Sequence, residues 1–290
     1  MTYFLHILVL LNIYVILIIG ANITVGMAGL LTLCQAAFYG IGAYIGTMLL
    51  MQFDLPFIVI ALIVAVATGV SSSLISYASL KLKNDYFTLA SLGFQMIVFT
   101  ILYNWVDVTK GPYGISGIPG IKLMGIWSLK GVVAYAVFTT IVMVVMVSIF
   151  VILKKSPYGR ILRAIRTDET SVMALGRNTS IAKTRAFFIS AAFSGIAGLL
   201  YAAYVRFIDP TSFTLNESLF IICALFIGGA GNAKGSIAGA LFVVILPEIL
   251  RLIGMPDAIA APLREILYGL ALIAVMYIRP RGILGEEISR

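Results

Sequence analysis

The chain has 290 residues, of which 61% are hydrophobic and 11% charged, and a formal net charge of +8. A soluble domain carries about 25% charged residues, so a water-covered globule is excluded. The apolar runs are continuous, whereas β-barrel strands alternate. The composition predicts an all-α, polytopic membrane protein forming a single transmembrane domain over residues 1–290.

Crossing a bilayer core takes roughly 20 mostly apolar residues. In chain order the candidate spans are Tyr3–Gly20, Leu30–Met51, Pro56–Leu80, Tyr86–Tyr103, Gly131–Leu153, Ala186–Val205, Ser218–Ile227, Ile237–Leu250 and Leu263–Ile278. That is about nine helices, in a range of roughly 8–10. Tyr3–Gly20 lacks a basic flank and a cleavage site followed by a polar mature domain, and reads as a retained span. The seventh and eighth spans are short and interrupted by glycine. Irregular backbone cannot face lipid, so they predict broken or re-entrant helices lining a cavity.

Eight of the twenty Lys and Arg residues fall in one block, Lys154–Arg185. Basic residues beside spans mark the cytoplasmic side, which places this block, the Lys81/Lys83 turn and the Arg279/Arg281 tail together inside. The amino terminus and the loops Asn104–Lys130 and Arg206–Glu217 then lie outside, with three lysines in the first loop counting mildly against the assignment. The positive charge belongs to this pattern rather than to nucleic-acid binding. Cys34 and Cys223 lie within apolar segments and predict no disulfide framework.

Within the block, Pro157 suits a first helical turn. Ile161, Leu162, Ile165, Val172 and Met173 recur at helical spacing beside a basic row of Arg160, Arg163 and Arg166. Asp168 and Glu169 follow, and Gly176 is a natural stop. One amphipathic helix is predicted. Two roles stay open on these residues: an interfacial helix on anionic lipid, or a docking helix for a partner groove. The acidic pair suits the second better.

The stretch "SPYGRILRAIRTDETSVMALGRNTSIAKTRAFFISAAFSGIAGLLYA" resembles the cytoplasmic loop and following span of branched-chain amino acid ABC transporter permeases, the LivH/LivM family, and more closely the LivM type. "ANITVGMAGLLTLCQAAFYGIGAY", "NDYFTLASLGFQMIVFTIL", "TKGPYGISGIPGI" and "FIGGAGNAKGSIAGALFVVILPEILR" match other family segments in the same order, covering most of the chain. Two departures are Cys34 in place of a glycine, and Ala230 with Lys234 in place of more apolar neighbours. The resemblance implies a complex with a second homologous permease, two cytoplasmic ATPases that bind ATP and magnesium, and an extracytoplasmic substrate-binding protein. It implies that 154–185 is the coupling segment, with Asp168, Glu169 and Gly176 at its motif positions. The substrates implied are branched-chain amino acids, with urea or short amides as the nearest alternative.

No catalytic constellation is present: His6 is the lone histidine, and a multi-His metal site is excluded. The chain has no G-x-x-x-x-G-K-[ST] phosphate loop, so it is expected to need no cofactor of its own. Polar residues at glycine breaks are the candidate translocation path, since half-helix ends can greet a zwitterion. They are Asn22, Thr24, Gly26, Gly29, Thr32 and Gln35 in the first break, and Gly228, Gly229, Gly231 and Asn232 in the second. Thr88, Ser91 and Gln95 share one face of the fourth span. Small and hydroxyl residues also serve plain helix packing in membranes. Glu248 and Arg251 could pair as a boundary anchor. A secondary transporter would be expected to carry an intramembrane Asp, Glu or His for ion coupling, and here the acidic residues sit at span ends or in loops. A membrane-anchored scaffold is disfavoured by the glycine-broken spans.

Overall fold

The computed structural model describes residues 2–82, 84–123, 127–128, 131–252, 257–279 and 282–285. The helices in chain order are α1 (Thr2–Ala21), α2 (Gln35–Gln52), α3 (Phe57–Lys81), α4 (Asn84–Asn104), α5 (Val106–Thr109), α6 (Val132–Lys155), α7 (Pro157–Thr167), α8 (Glu169–Ala174), α9 (Thr179–Val205), α10 (Leu215–Gly228), α11 (Ala233–Leu252) and α12 (Asp257–Ile278). A π-helical stretch, Asn22–Met27, continues α1. The all-α polytopic class holds. Among the described residues six helices are long and apolar enough to cross a membrane, and Leu215–Gly228 and Glu265–Ile278 are shorter apolar helices.

Helix α3 shows the inverted patterning that lipid demands. Ile58, Leu62, Val66, Val70 and Leu74, each four residues on, are exposed, whereas Thr68, Ser72 and Ser76 are buried. Burying hydroxyls while exposing a long apolar stripe is unfavourable in water. In a bilayer the apolar face meets hydrocarbon and the hydroxyls bond to their own helix, as Thr68 Oγ1 does to the Val64 carbonyl at 2.8 Å.

Helix α9 is the central post. It lies against α1, α2 and α3, and small residues let the backbones close. A Cβ at Gly42 would come 2.3 Å from Gly195 Cα, and one at Gly198 would come 2.1 Å from the Tyr39 carbonyl oxygen.

The helices alternate between two ends. Phe87 and Phe187, near the starts of α4 and α9, meet with ring centroids 5.6 Å apart. Tyr135, at the start of α6, meets Tyr204, at the end of α9, at 4.9 Å. The turn before α4 therefore shares an end with the block, as the charge pattern predicted for Lys81. Lys83, Lys130 and Arg281 lie outside the described residues, as do the side chains of Lys81 and Arg251. At the opposite end α5 and short strands stand among the described residues between α4 and α6. There β1 (Ile115–Ser116) pairs with β4 (Phe207–Ile208), and β2 (Lys122–Leu123) with β3 (Trp127–Ser128).

Three expectations need correction. The eighth span, predicted as short and broken, belongs to the uninterrupted 20-residue helix α11, long enough to cross, and its glycine break lies before it. The predicted span Leu30–Met51 begins five residues late, at Gln35, because the chain from Gly29 (φ 72°) to Cys34 is not helical. The block also forms two helices rather than one. Asp168 adopts an extended conformation, ends α7 and caps α8, its carboxylate accepting from Thr170 N at 2.9 Å.

Candidate functional site

The two glycine breaks meet. Asn22 Oδ1 accepts from Gly231 N at 2.7 Å, and Asn22 Nδ2 donates to Ser236 Oγ at 2.7 Å and to the Asn232 carbonyl at 3.2 Å. A carboxamide that both accepts and donates can satisfy two irregular backbones at once. Gly26 makes room for it, since a Cβ there would lie 1.7 Å from Asn22 Oδ1. Thr24 Oγ1 donates to the Ala21 carbonyl at 3.1 Å. In the second break Gly229 (φ 115°) and Gly231 (φ 88°) hold conformations that side chains rarely adopt. The carboxyl-terminal segment closes over it. Ile283 N and Leu284 N donate to the carbonyls of Ile227 and Gly228 at 3.0 and 2.9 Å, and Asn232 Nδ2 donates to the Leu284 carbonyl at 3.0 Å.

Helix α2 starts inside the bundle, where its first N–H groups lack intrahelical partners. Left bare in hydrocarbon, each would cost several kcal/mol. Side chains from other helices supply the acceptors. Ser218 Oγ takes Ala36 N at 2.9 Å and Gln95 Oε1 takes Ala37 N at 2.6 Å, while Ser91 Oγ takes Leu33 N at 2.9 Å in the non-helical lead-in. Gln95 Nε2 also donates to the Phe213 carbonyl at 2.9 Å, and Thr88 Oγ1 to that of Leu31 at 3.2 Å. The predicted α4 face is thus real and turns toward the first break. Gln35 sits one layer deeper: Nε2 donates to Ser190 Oγ at 2.8 Å and Oε1 accepts from Ser194 Oγ at 3.1 Å. Asn22, Thr24, Thr32, Gln35, Ser91 and Gln95 are all buried.

In the block, Leu162, Ile165 and Val172 of the predicted stripe are buried. Tyr158 ties α7 to α9, its hydroxyl donating to the Ala182 carbonyl at 2.7 Å, and burial pushes its pKa up. Glu169 pairs with Lys183 at 2.6 Å, joining α8 to α9. Asp168 is exposed, and hydrogen bonds from Ser171 and Thr170 hold its pKa down to about 2. Gly176 ends the segment at φ 73°. In the basic row Arg160 and Arg166 are exposed and Arg163 is half-buried; Arg163 donates to the Lys154 carbonyl at 3.4 Å, and Arg166 donates across to the Gly26 carbonyl at 2.5 Å.

Three features were missed from the sequence. Met173, assigned to the apolar stripe, is half exposed, and Leu175 is 81% exposed, so an apolar tip projects from the block. Ser190, Ser194, Ser218 and Ser236 anchor the breaks, and only the three-dimensional pairing reveals them. A cavity of 190 Å³ between α1, α10, α11 and α12 is lined by Tyr14, Glu217, Glu248 and Tyr268 among apolar residues. There Glu217 accepts from Tyr14 at 2.7 Å, and Glu248 accepts from the Tyr3 hydroxyl. At the same end His6 Nδ1 lies 2.8 Å from the Tyr204 hydroxyl. Lys234 is exposed at the start of α11. Among the described residues no group of three or more His, Cys, Asp or Glu could hold a metal ion.

The chain is 34% identical to the high-affinity branched-chain amino acid transport system permease protein LivM of Salmonella typhimurium, over 94% of this chain and 68% of the relative. It is 28% identical to a probable LivM permease of Methanocaldococcus jannaschii, over 79% of this chain and 69% of that one. It is 25% identical to LivH of Salmonella typhimurium, over 94% and 91% respectively. No solved structure matches the chain. Residues 3–276 match the family of branched-chain amino acid transport system permease components, and the chain belongs to that family.

Proposed function

We propose that this chain is one of two permease subunits of an ATP-driven importer for branched-chain amino acids. The observation that carries the reading is the block between α6 and α9. A rigid helix pair, tied to α9 through Tyr158 and Glu169–Lys183, presents an exposed apolar tip at Met173 and Leu175. A helix lying on lipid would turn its apolar residues inward to the bilayer and keep its acid pair away from anionic headgroups. A tip that is apolar and acid-flanked suits a groove on a partner.

On this reading the block faces the cytoplasm and docks a separate ATPase, which binds ATP and magnesium. Residues 1–290 form one permease domain and 154–185 its coupling segment. The six long spans, with α2, α10 and α12, make about nine crossings. The carboxyl terminus lies inside, and the amino terminus outside, where a binding protein delivers substrate. The paired breaks at Asn22 and Gly231 line the route with the α4 face, offering half-helix ends of the kind that meet zwitterions in transporters.

Reconstitution tests the reading. The chain, co-expressed with a second permease and the ATPase subunits of such an importer, is expected to take up leucine, isoleucine and valine in an ATP-dependent way, with each competing against the others. Uptake of urea or acetamide in their place would contradict the substrate, and ATP-independent uptake would contradict the class.

A further inference from the structure

The coupling block meets the first break at Arg166, in the last turn of α7. The Arg166 guanidinium reaches the Gly26 carbonyl at 2.5 Å, near the end of the π-helical stretch. Its aliphatic stem lies over Gly29, where an added Cβ would stand 2.7 Å from Arg166 Cγ. A cation at a helix carboxyl end meets carbonyls that lack intrahelical donors and a favourable dipole. The guanidinium stays charged throughout the accessible pH range.

From Gly26 the connection runs on without a gap. Gly26 abuts the Asn22 carboxamide, which bonds to Gly231 and Ser236. Asn232 then bonds to Leu284, and Leu284 N to the Gly228 carbonyl. The block is therefore joined to the first break by the Arg166 hydrogen bond, and Gly26 and Asn22 lie in close contact within that break. Hydrogen bonds carry on to the second break and the carboxyl-terminal segment. Arg166 also stands at the end of a rigid arm, since Leu162 and Ile165 are buried and Tyr158 is bonded to α9.

We propose that Arg166 is the positioning residue that carries movement of the coupling block into the paired breaks at Asn22–Met27 and Gly228–Asn232. The proposal rests on the ATP-driven reading above. It departs from a docking role for this arginine: the guanidinium pulls on the permease's own backbone, and α7 moves the Gly26 carbonyl when the block is displaced.

The test is the assembled importer in proteoliposomes, with ATP hydrolysis and leucine uptake measured in parallel. Arg166→Met keeps the stem and removes the donor. Hydrolysis should persist while uptake falls about tenfold or more, so that ATP consumed per leucine rises. Arg166→Lys should give an intermediate ratio, and Ile141→Val, a change on the exposed apolar face of α6 outside the block, the unaltered one. A purely structural arginine would lower both rates in proportion, and that result, or an unchanged ratio in Arg166→Met, overturns the proposal. Should Arg166→Met fail to assemble, Arg166→Lys decides: an intermediate ratio supports the link and an unaltered one refutes it. An unaltered chain that assembles with no ATPase contradicts the ATP-driven reading itself, which separates that failure from this one.

Discussion

Asn22 and Gly231, 209 residues apart, share a 2.7 Å hydrogen bond that holds the two helix breaks together. Both ends are buried, and a buried donor deprived of its partner costs about 1–3 kcal/mol. Asn22→Leu removes the acceptor for Gly231 N and the donor to Ser236 in one step. The variant should still insert, but its uptake should fall tenfold or more and its detergent-solubilised form should melt at lower temperature. Membrane quantity by immunoblot, uptake and a thermal melt check this.

Gln95 and Gln35 should respond differently. Gln95→Leu uncaps Ala37 N and strands the Phe213 carbonyl, so the expected loss is chiefly of stability, about 1–3 kcal/mol for each group left bare. Gln35 bonds to two serine side chains, which can turn to backbone carbonyls, as Ser190 already does to Gly20 at 2.7 Å. Gln35→Leu should therefore impair uptake without loosening the complex. Paired melting curves and transport kinetics discriminate the two.

The Glu169–Lys183 pair predicts a charge-swap result. Lys183 is buried and Glu169 half-buried, so Glu169→Lys places two cations together and should abolish uptake. The double change Glu169→Lys with Lys183→Glu should restore a measurable part. Failure of the double variant, with both chains inserted, would show that Glu169 is needed for its own contacts with a partner.

Asp168 gives a pH prediction. Its folded pKa lies below the ordinary value of 3.8, so its contribution to the α7–α8 break is fully present above that pH. It is lost only as pH falls toward about 2. Uptake should show no titration from Asp168 near neutrality. Asp168→Asn, which keeps a capping side chain, should behave like the parent, whereas Asp168→Ala should weaken the break. A pH profile of the three variants measures this.

Much of the architecture was legible in the sequence because bilayer thickness and charge placement write themselves as long apolar runs and basic turns. The breaks could be read from Gly26, Gly29, Gly229 and Gly231, and the α4 face from the spacing of Thr88, Ser91 and Gln95. What the breaks bond to was not legible. Ala36 N and Ser218 are 182 residues apart, and local pattern carries no such information. The kink at Asp168 had a local signature, an aspartate followed by Thr170 and Ser171, which the continuing apolar spacing on either side masked. Arg166 looked like a surface row with Arg160 and Arg163; it does stay exposed, and only the fold brings Gly26 and Gly29 against it.

The account turns on the coupling block being gripped by a separate ATPase. In a Cys223→Ser background, with Cys34 buried, Leu175→Cys places a reactive group at the exposed tip. Cross-linking in the assembled, transporting complex should join this residue to the ATPase subunit and stop leucine uptake, with reversal on reduction. A tip cysteine that stays freely reactive to a water-soluble thiol reagent, or is shielded only by lipid, while uptake continues would contradict it.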